Sequence, residues 1–158
     1  MKLLGKKQVQ LRIKFCIWLI VIGLALSGIT AFPLETELKF LAANTNGLIG
    51  TWINTVYHSI KETNQTYPWL SYGTDWLAFA HIMLAILFVG PLTNPIQNIW
   101  VIQFGIIVCI LIFPLAFIAG EIRNIPLFWR LIDCSFGLIA LIPLLVTHRL
   151  IKRLQIIN

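Results

Sequence analysis

Four long apolar runs constrain this chain more strongly than any other feature of its sequence. A hydrocarbon core about 30 Å thick requires about 20 helical residues to cross it, and each of the four runs approaches that length. The sequence therefore predicts an all-α membrane protein with four spanning helices. We expect these spans at about residues 15–32, 76–92, 99–119 and 131–147.

The composition agrees with a surface that faces lipid. Hydrophobic residues make up 58% of the chain and charged residues only 11%, whereas a soluble globular chain carries about 25% charged residues. So few charges cannot coat a water-facing surface. A length of 158 residues suits one domain, so we expect a single transmembrane domain over residues 1–158, folded as a compact four-helix bundle.

The formal net charge of +6 would allow a nucleic-acid partner, but the distribution of the charges argues against one. Eight of the twelve basic residues flank the first and last apolar runs, where they act as topology determinants. Four crossings place both ends on one side of the membrane, so we expect both termini in the cytoplasm. The eight residues are Lys2, Lys6, Lys7, Arg12, Lys14, Arg149, Lys152 and Arg153.

The first run has an alternative interpretation as a cleaved signal peptide. Ala25, Leu26 and Ser27 provide a small-x-small pattern of the kind that precedes cleavage. The apolar run continues past Ser27 and the basic segment before it is long, which favours a retained membrane anchor. The N-terminus of the mature protein distinguishes the two.

Residues 33–74 form the one long polar stretch, which we expect on the outer side between the first two spans. Apolar residues recur there at intervals of three and four, which predicts an amphipathic helical segment with a break near residues 44–47. Such a segment lies on the membrane surface or caps the bundle. The apolar positions are Leu38, Leu41, Leu48, Ile49, Trp52, Ile53, Val56 and Ile60. The triplet Asn64-Gln65-Thr66 also fits an N-glycosylation acceptor in a secretory-pathway protein.

Ionisable residues gather at the predicted outer ends of the second, third and fourth spans. His81 lies within a span, where it could hold a proton, a haem iron or a substrate, or simply donate a hydrogen bond to a neighbouring helix. Arg130 and Asp133 are three residues apart and can pair on one helix face. One interpretation is a polar pocket for a lipid headgroup, an anion or a quinone. The favoured one is a network that fixes the helix ends. The residues of this candidate cluster are Asp75, His81, Glu121, Arg123, Arg130 and Asp133.

Small residues spaced four apart form stripes on two of the predicted spans. Such stripes let helices approach closely, so they indicate packing within the bundle, a homo-oligomer or a larger membrane complex. The first stripe is Gly23, Ser27 and Ala31; the third span carries Gly105 with Cys109 and Ala116 with Gly120.

Several patterns that would indicate catalysis do not occur in the sequence. It contains no phosphate-binding glycine loop, no HExxH and no GxSxG motif, and no Cys/His cluster has metal-ligand spacing. We therefore expect no metal and no cofactor. The leading hypothesis is a non-enzymatic accessory subunit or small binding component of the membrane. The alternatives are an oligomeric transporter or proton-coupled carrier working through His81, and a lipid- or quinone-modifying enzyme.

Two segments carry a resemblance to known sequences. YGTDWLAFAH at residues 72–81 and WRLIDCSFG at residues 129–137 resemble an uncharacterised group of small bacterial four-helix membrane proteins. The resemblance implies a bacterial inner (cytoplasmic) membrane setting. It implies no activity, substrate or cofactor.

Overall fold

The computed structural model describes residues 2–157, and these residues form seven α-helices, one short 3-10 turn and no β-strand. This confirms the prediction of an all-α chain. In chain order the elements are α1 (Lys2–Ala31), α2 (Leu34–Asn44), α3 (Gly47–Thr66), the 3-10 turn (Pro68–Leu70), α4 (Tyr72–Leu87), α5 (Val89–Thr93), α6 (Ile99–Ile122) and α7 (Leu127–Ile157).

Four stretches of these helices are long and apolar enough to cross a membrane. The prediction of four spans is confirmed, and the chain is a multi-pass membrane protein. Most of the apolar side chains along these stretches are exposed on the protein surface, as a lipid-facing bundle requires. The four stretches are Gly5–Ala31, Pro68–Thr93, Ile99–Ile122 and Leu127–Ile156.

The first and last helices extend well beyond the predicted spans 15–32 and 131–147. Helix α1 already begins at Lys2 and α7 continues to Ile157. Hydropathy falls where the basic residues appear, but lysine and arginine are good helix formers, so the helices continue through them. The hydropathy pattern therefore marks the apolar part of each helix and not its ends.

Residues 33–74 fold mainly into α2 and α3, which pack against each other. The chain breaks between them at Thr45 and Asn46, within the predicted interval 44–47. Gly47, which opens α3, has a φ of +72°, a backbone conformation that glycine adopts without steric cost. Leu38 and Ile53 are buried within this pair of helices.

The contacts divide the chain into two compact units. The first unit contains the chain up to Ile22 and from Ile86 onward, and the second is Gly23–Ala85. In the first unit α6 and α7 form an antiparallel hairpin with extensive contact. Its fully buried side chains come from α1, α5, α6 and α7 and include Ile13, Ile17, Pro91, Val101, Ile102, Ile151 and Leu154.

Candidate functional site

The turn between α6 and α7 sets the geometry of the polar residues in the first unit. Asn124 has a φ of 54°, and asparagine is among the few non-glycine residues that adopt this left-handed conformation readily. The N–H of Ile125 donates to the carbonyl of Gly120 at 2.8 Å, and that of Asn124 to the carbonyl of Glu121 at 3.1 Å. This pair of bonds is a Schellman motif, which satisfies the last carbonyls of α6 and reverses the chain within a few residues.

Arg130 reaches from α7 back across this turn. Its Nη1 lies 2.5 Å from Oε2 of Glu121, and its Nε donates to the carbonyl of Ile125 at 2.6 Å. The Arg130 side chain is 12% exposed and that of Glu121 76% exposed. A Cβ atom added at Gly120 would lie 2.8 Å from Cδ of Arg130, so the absence of a side chain there makes room for the arginine. The Arg130–Asp133 pair that the spacing allows is not formed.

Beside this ion pair lies a cavity of about 320 Å³, which we call the hairpin groove. One face of α6 supplies its apolar wall, at positions that recur every three or four residues and lead toward Arg123. Asp133 lines it from α7. The full lining is Ile112, Leu115, Ala116, Ala119, Gly120, Arg123, Ile125, Arg130 and Asp133. The small residues on α6 leave the space that forms the groove.

Two charged side chains of the hairpin groove have no hydrogen bond or ion pair to any of residues 2–157. They are the guanidinium of Arg123, at the end of α6, and the carboxylate of Asp133, in the second turn of α7. Arg130 also lines the groove, but its charge is balanced by Glu121. The groove thus joins an apolar wall to one positive and one negative group that are available to a ligand.

Asp75, the first acidic member of the predicted cluster, lines a different cavity that lies within the second unit. This cavity has a volume of about 370 Å³ and includes Glu35, Asn64 and Ser71 in its wall. Nδ2 of Asn64 donates to Oε2 of Glu35 at 2.6 Å, and the hydroxyl of Ser71 donates to Oδ1 of Asn64. An N-glycan would have to form on the same amide nitrogen, which would leave it one N–H and place a sugar beside the contact with Glu35.

His81 is held by its own helix. Its Nδ1 lies 2.8 Å from the carbonyl oxygen of Leu77, one turn earlier in α4. A carbonyl oxygen only accepts hydrogen bonds, so Nδ1 carries the proton in this arrangement. The sequence suggested a hydrogen bond from His81 to a neighbouring helix. In the structure Nδ1 instead bonds to a carbonyl of its own helix, α4. His81 does not line the cavity that contains Asp75.

Some small residues of α6 lie in close contact with other side chains of the first unit, and others line the hairpin groove. Gly105, Cys109 and Gly120 are all buried. A Cβ atom added at Gly105 would lie 2.8 Å from Cζ of Phe88 and 3.1 Å from Cδ1 of Leu144. Ala116, which belongs to the same predicted stripe, lines the hairpin groove. Within this stripe, Gly105 therefore allows close packing, whereas Ala116 leaves space for the groove.

On α1 the glycine that packs closely against another helix is Gly28, which lies beside the predicted stripe and not in it. Gly23 and Ser27 are exposed and Ala31 is half-buried. Gly28 is buried against α4, where an added Cβ atom would lie 2.7 Å from the carbonyl oxygen of Ala78. Small residues at positions 23, 25, 27, 28 and 31 cover more than one face of α1, so their spacing could not identify the contacting face.

The polar residues thus separate into a hairpin groove in the first unit and a hydrogen-bonded cavity in the second. Among residues 2–157, no group of three or more His, Cys, Asp or Glu side chains is placed to hold a metal ion. The hairpin groove combines length, an apolar wall and free charges, and is the stronger candidate for a binding site. No protein-family model, no curated protein and no solved structure shows significant similarity to this chain.

Proposed function

We propose that this chain is a small, non-enzymatic binding component of the cytoplasmic membrane, and that its hairpin groove holds an amphiphilic molecule. The observation that carries the proposal is the continuous path from an apolar wall to two charges without partners, Arg123 and Asp133. A molecule with an apolar chain and a polar head matches that order of surfaces.

The length of the groove supports an amphiphile from the bilayer. Ile112 and Arg123 are eleven residues apart along α6, which corresponds to about 16 Å at 1.5 Å per residue. Half of a hydrocarbon core about 30 Å thick is about 15 Å. The groove lining on α6 thus spans about one leaflet, from Ile112 in the apolar core to Arg123 at the level of the headgroup.

The same geometry favours binding over the two alternative functions. The residues that line the groove include one carboxylate, Asp133, but no serine, cysteine or histidine with which it could form a nucleophile–base pair. His81, the residue on which a proton-coupled carrier would depend, is hydrogen-bonded within α4. An accessory subunit of a larger complex stays compatible with the proposal, since a bound lipid can lie beside a partner protein.

We further propose that the protein lies in a bacterial inner membrane with both termini in the cytoplasm. The basic residues near the two chain ends and the resemblance of residues 72–81 and 129–137 support this setting. Alkaline phosphatase fused after Asn158 should be inactive, because its disulfides do not form in the cytoplasm, and a fluorescent protein fused there should fluoresce. As a control, phosphatase fused after Asn124 should be active. An active C-terminal phosphatase fusion would reverse the orientation.

Filling the hairpin groove tests the proposed function directly. Ala116→Trp places a large ring in the groove, so the variant should lose most of the amphiphile that copurifies with the wild type in a mild detergent. Native mass spectrometry measures the bound mass and its stoichiometry. Ile118→Trp is the matched control, because Ile118 lies on α6 outside the groove and is 63% exposed; it should retain the amphiphile.

Two outcomes would contradict the proposal. The wild type could release no bound amphiphile, or Ala116→Trp could retain as much of it as Ile118→Trp does. A partner protein at fixed stoichiometry, present in both variants without any bound amphiphile, would favour the accessory-subunit hypothesis.

A further inference from the structure

We infer that the hairpin groove selects a single-chain glycerophospholipid, a lysophospholipid, whose phosphate binds Arg123 and whose free glycerol hydroxyl donates to Asp133. The inference rests on the proposed function and names the chemical class of the amphiphile. It follows from the dimensions of the groove and from the depths and signs of its two free charges.

The shape of the groove favours one acyl chain. Its apolar wall is a single stripe on α6, formed by Ile112, Ala116 and Ala119 with Leu115 beside them. The positions recur at intervals of four and three residues, so they follow one line along the helix. A lipid with two chains would leave the second chain outside the groove.

The two free charges lie at different depths. Arg123 follows the last turn of α6, while Asp133 lies six residues inside α7, or about 9 Å along the helix axis. The contact of Gly120 with Arg130 and that of Cys109 with Gly137 show that the helices run antiparallel here. Asp133 therefore lies deeper in the membrane-spanning part than Arg123, although both line one groove.

This order of depths selects the functional groups of the ligand. The phosphate is the outer group and pairs with the arginine through charge-assisted hydrogen bonds. The glycerol backbone lies deeper than the phosphate, where a free hydroxyl can donate to a carboxylate, which only accepts. A headgroup ammonium is farther from the chains than the phosphate, so it is placed at the wrong end for Asp133.

Other amphiphiles leave a charge unsatisfied. A neutral quinone offers no counter-charge to Arg123, so it would gain no ion pair there. A cationic amphiphile meets the unpaired positive charge of Arg123. Glu121 already balances Arg130, so Arg123 is the positive group in the lining that remains to pair with a phosphodiester.

The test compares lysophosphatidylcholine with its 2-O-methyl ether, which has the same chain and headgroup but no hydroxyl. Choline has no hydrogen-bond donor, so the glycerol hydroxyl is the one donor in the pair. Each lipid is titrated onto the full-length protein in a mild detergent, and binding is read by native mass spectrometry. The wild type should bind the free hydroxyl form about tenfold more tightly, as expected for a hydrogen bond to a charged group.

Variants separate the two contacts. Asp133→Leu should bind both lipids equally, and Asp133→Asn, which keeps an acceptor without charge, should show a preference of about threefold. Arg123→Gln should weaken both lipids by the same factor and keep the preference. Diacyl phosphatidylcholine should bind more weakly than the single-chain form to the wild type.

The failures are distinguishable from one another. If the wild type binds neither lipid above the level of Ala116→Trp, the groove is not a binding site and the proposed function fails with the inference. If Ala116→Trp abolishes binding but the wild type does not discriminate the methyl ether, only the lysophospholipid inference is overturned. Equal binding of the diacyl lipid overturns the single-chain part of it.

Discussion

Gly28→Val is expected to destabilise the second unit by roughly 1–3 kcal/mol, the range found for overpacked cores. A Cβ atom at position 28 would lie 2.7 Å from the carbonyl oxygen of Ala78 and 2.8 Å from Cγ1 of Ile82. The Ala78 oxygen belongs to the backbone of α4, so it cannot move unless the helix moves. The measurement is the temperature at which the detergent-solubilised protein loses its monodisperse elution peak.

The same helix provides a matched control in Gly23→Val. No heavy atom lies within 4 Å of a Cβ atom at Gly23, and the residue is exposed. The substitution is identical in chemistry and lies five residues away, so its midpoint should stay near that of the wild type. Equal loss of stability in both variants would show that α1 does not pack on α4 through Gly28.

Arg130→Ala is expected to destabilise the α6–α7 hairpin by about 1–3 kcal/mol, because it removes two hydrogen bonds made by a charged donor. The carbonyl of Ile125 loses its bond to Nε, and Glu121 loses its ion-pair partner. The aliphatic part of the arginine also packs over Gly120, so contact area is lost with the charge. Hydrogen exchange of the amides in residues 119–131, measured by mass spectrometry, should accelerate.

Two variants test whether this effect depends on the geometry of Arg130. Arg123→Ala removes the same kind of side chain from the same turn, but the guanidinium of Arg123 has no ion pair or hydrogen bond with residues 2–157, so exchange in lipid-free protein should not change. Arg130→Lys keeps the charge without the planar donor group that reaches two acceptors, and should give an intermediate rate. Unchanged exchange in Arg130→Ala would show that the ion pair does not hold the turn.

The parts of the fold that depend on local pattern could be predicted from the sequence. Run length and hydropathy placed the four spans, because a bilayer of fixed thickness requires apolar helices of fixed length. The break at Thr45 and Asn46 was expected from the glycine and asparagine residues around it. The ends of α1 and α7 could not be predicted in this way, because lysine and arginine are good helix formers and the helices extend beyond the apolar pattern.

The candidate site depends on contacts that no local pattern contains. Arg130 had an available partner at Asp133, three residues away, yet it pairs with Glu121 across the turn. That choice follows from the left-handed conformation of Asn124 and the absence of a side chain at Gly120. Asn124 sets the path of the turn and Gly120 leaves room for the arginine, so both depend on how the two helices pack. The spacing of charges within a single helix could not reveal them.

The extended end of α7 changes the physical meaning of its basic residues. Thr147, Leu150, Ile151 and Leu154 are buried, whereas Arg149, Lys152 and Arg153 point outward from the same turns. These cations therefore lie on an ordered helix and not on a flexible tail. Ordering the backbone of a disordered segment costs about 1–2 kcal/mol per residue, and folding has already met that cost here. The attraction of each cation to anionic headgroups, about 1 kcal/mol near the surface, is therefore not opposed by a further loss of chain entropy.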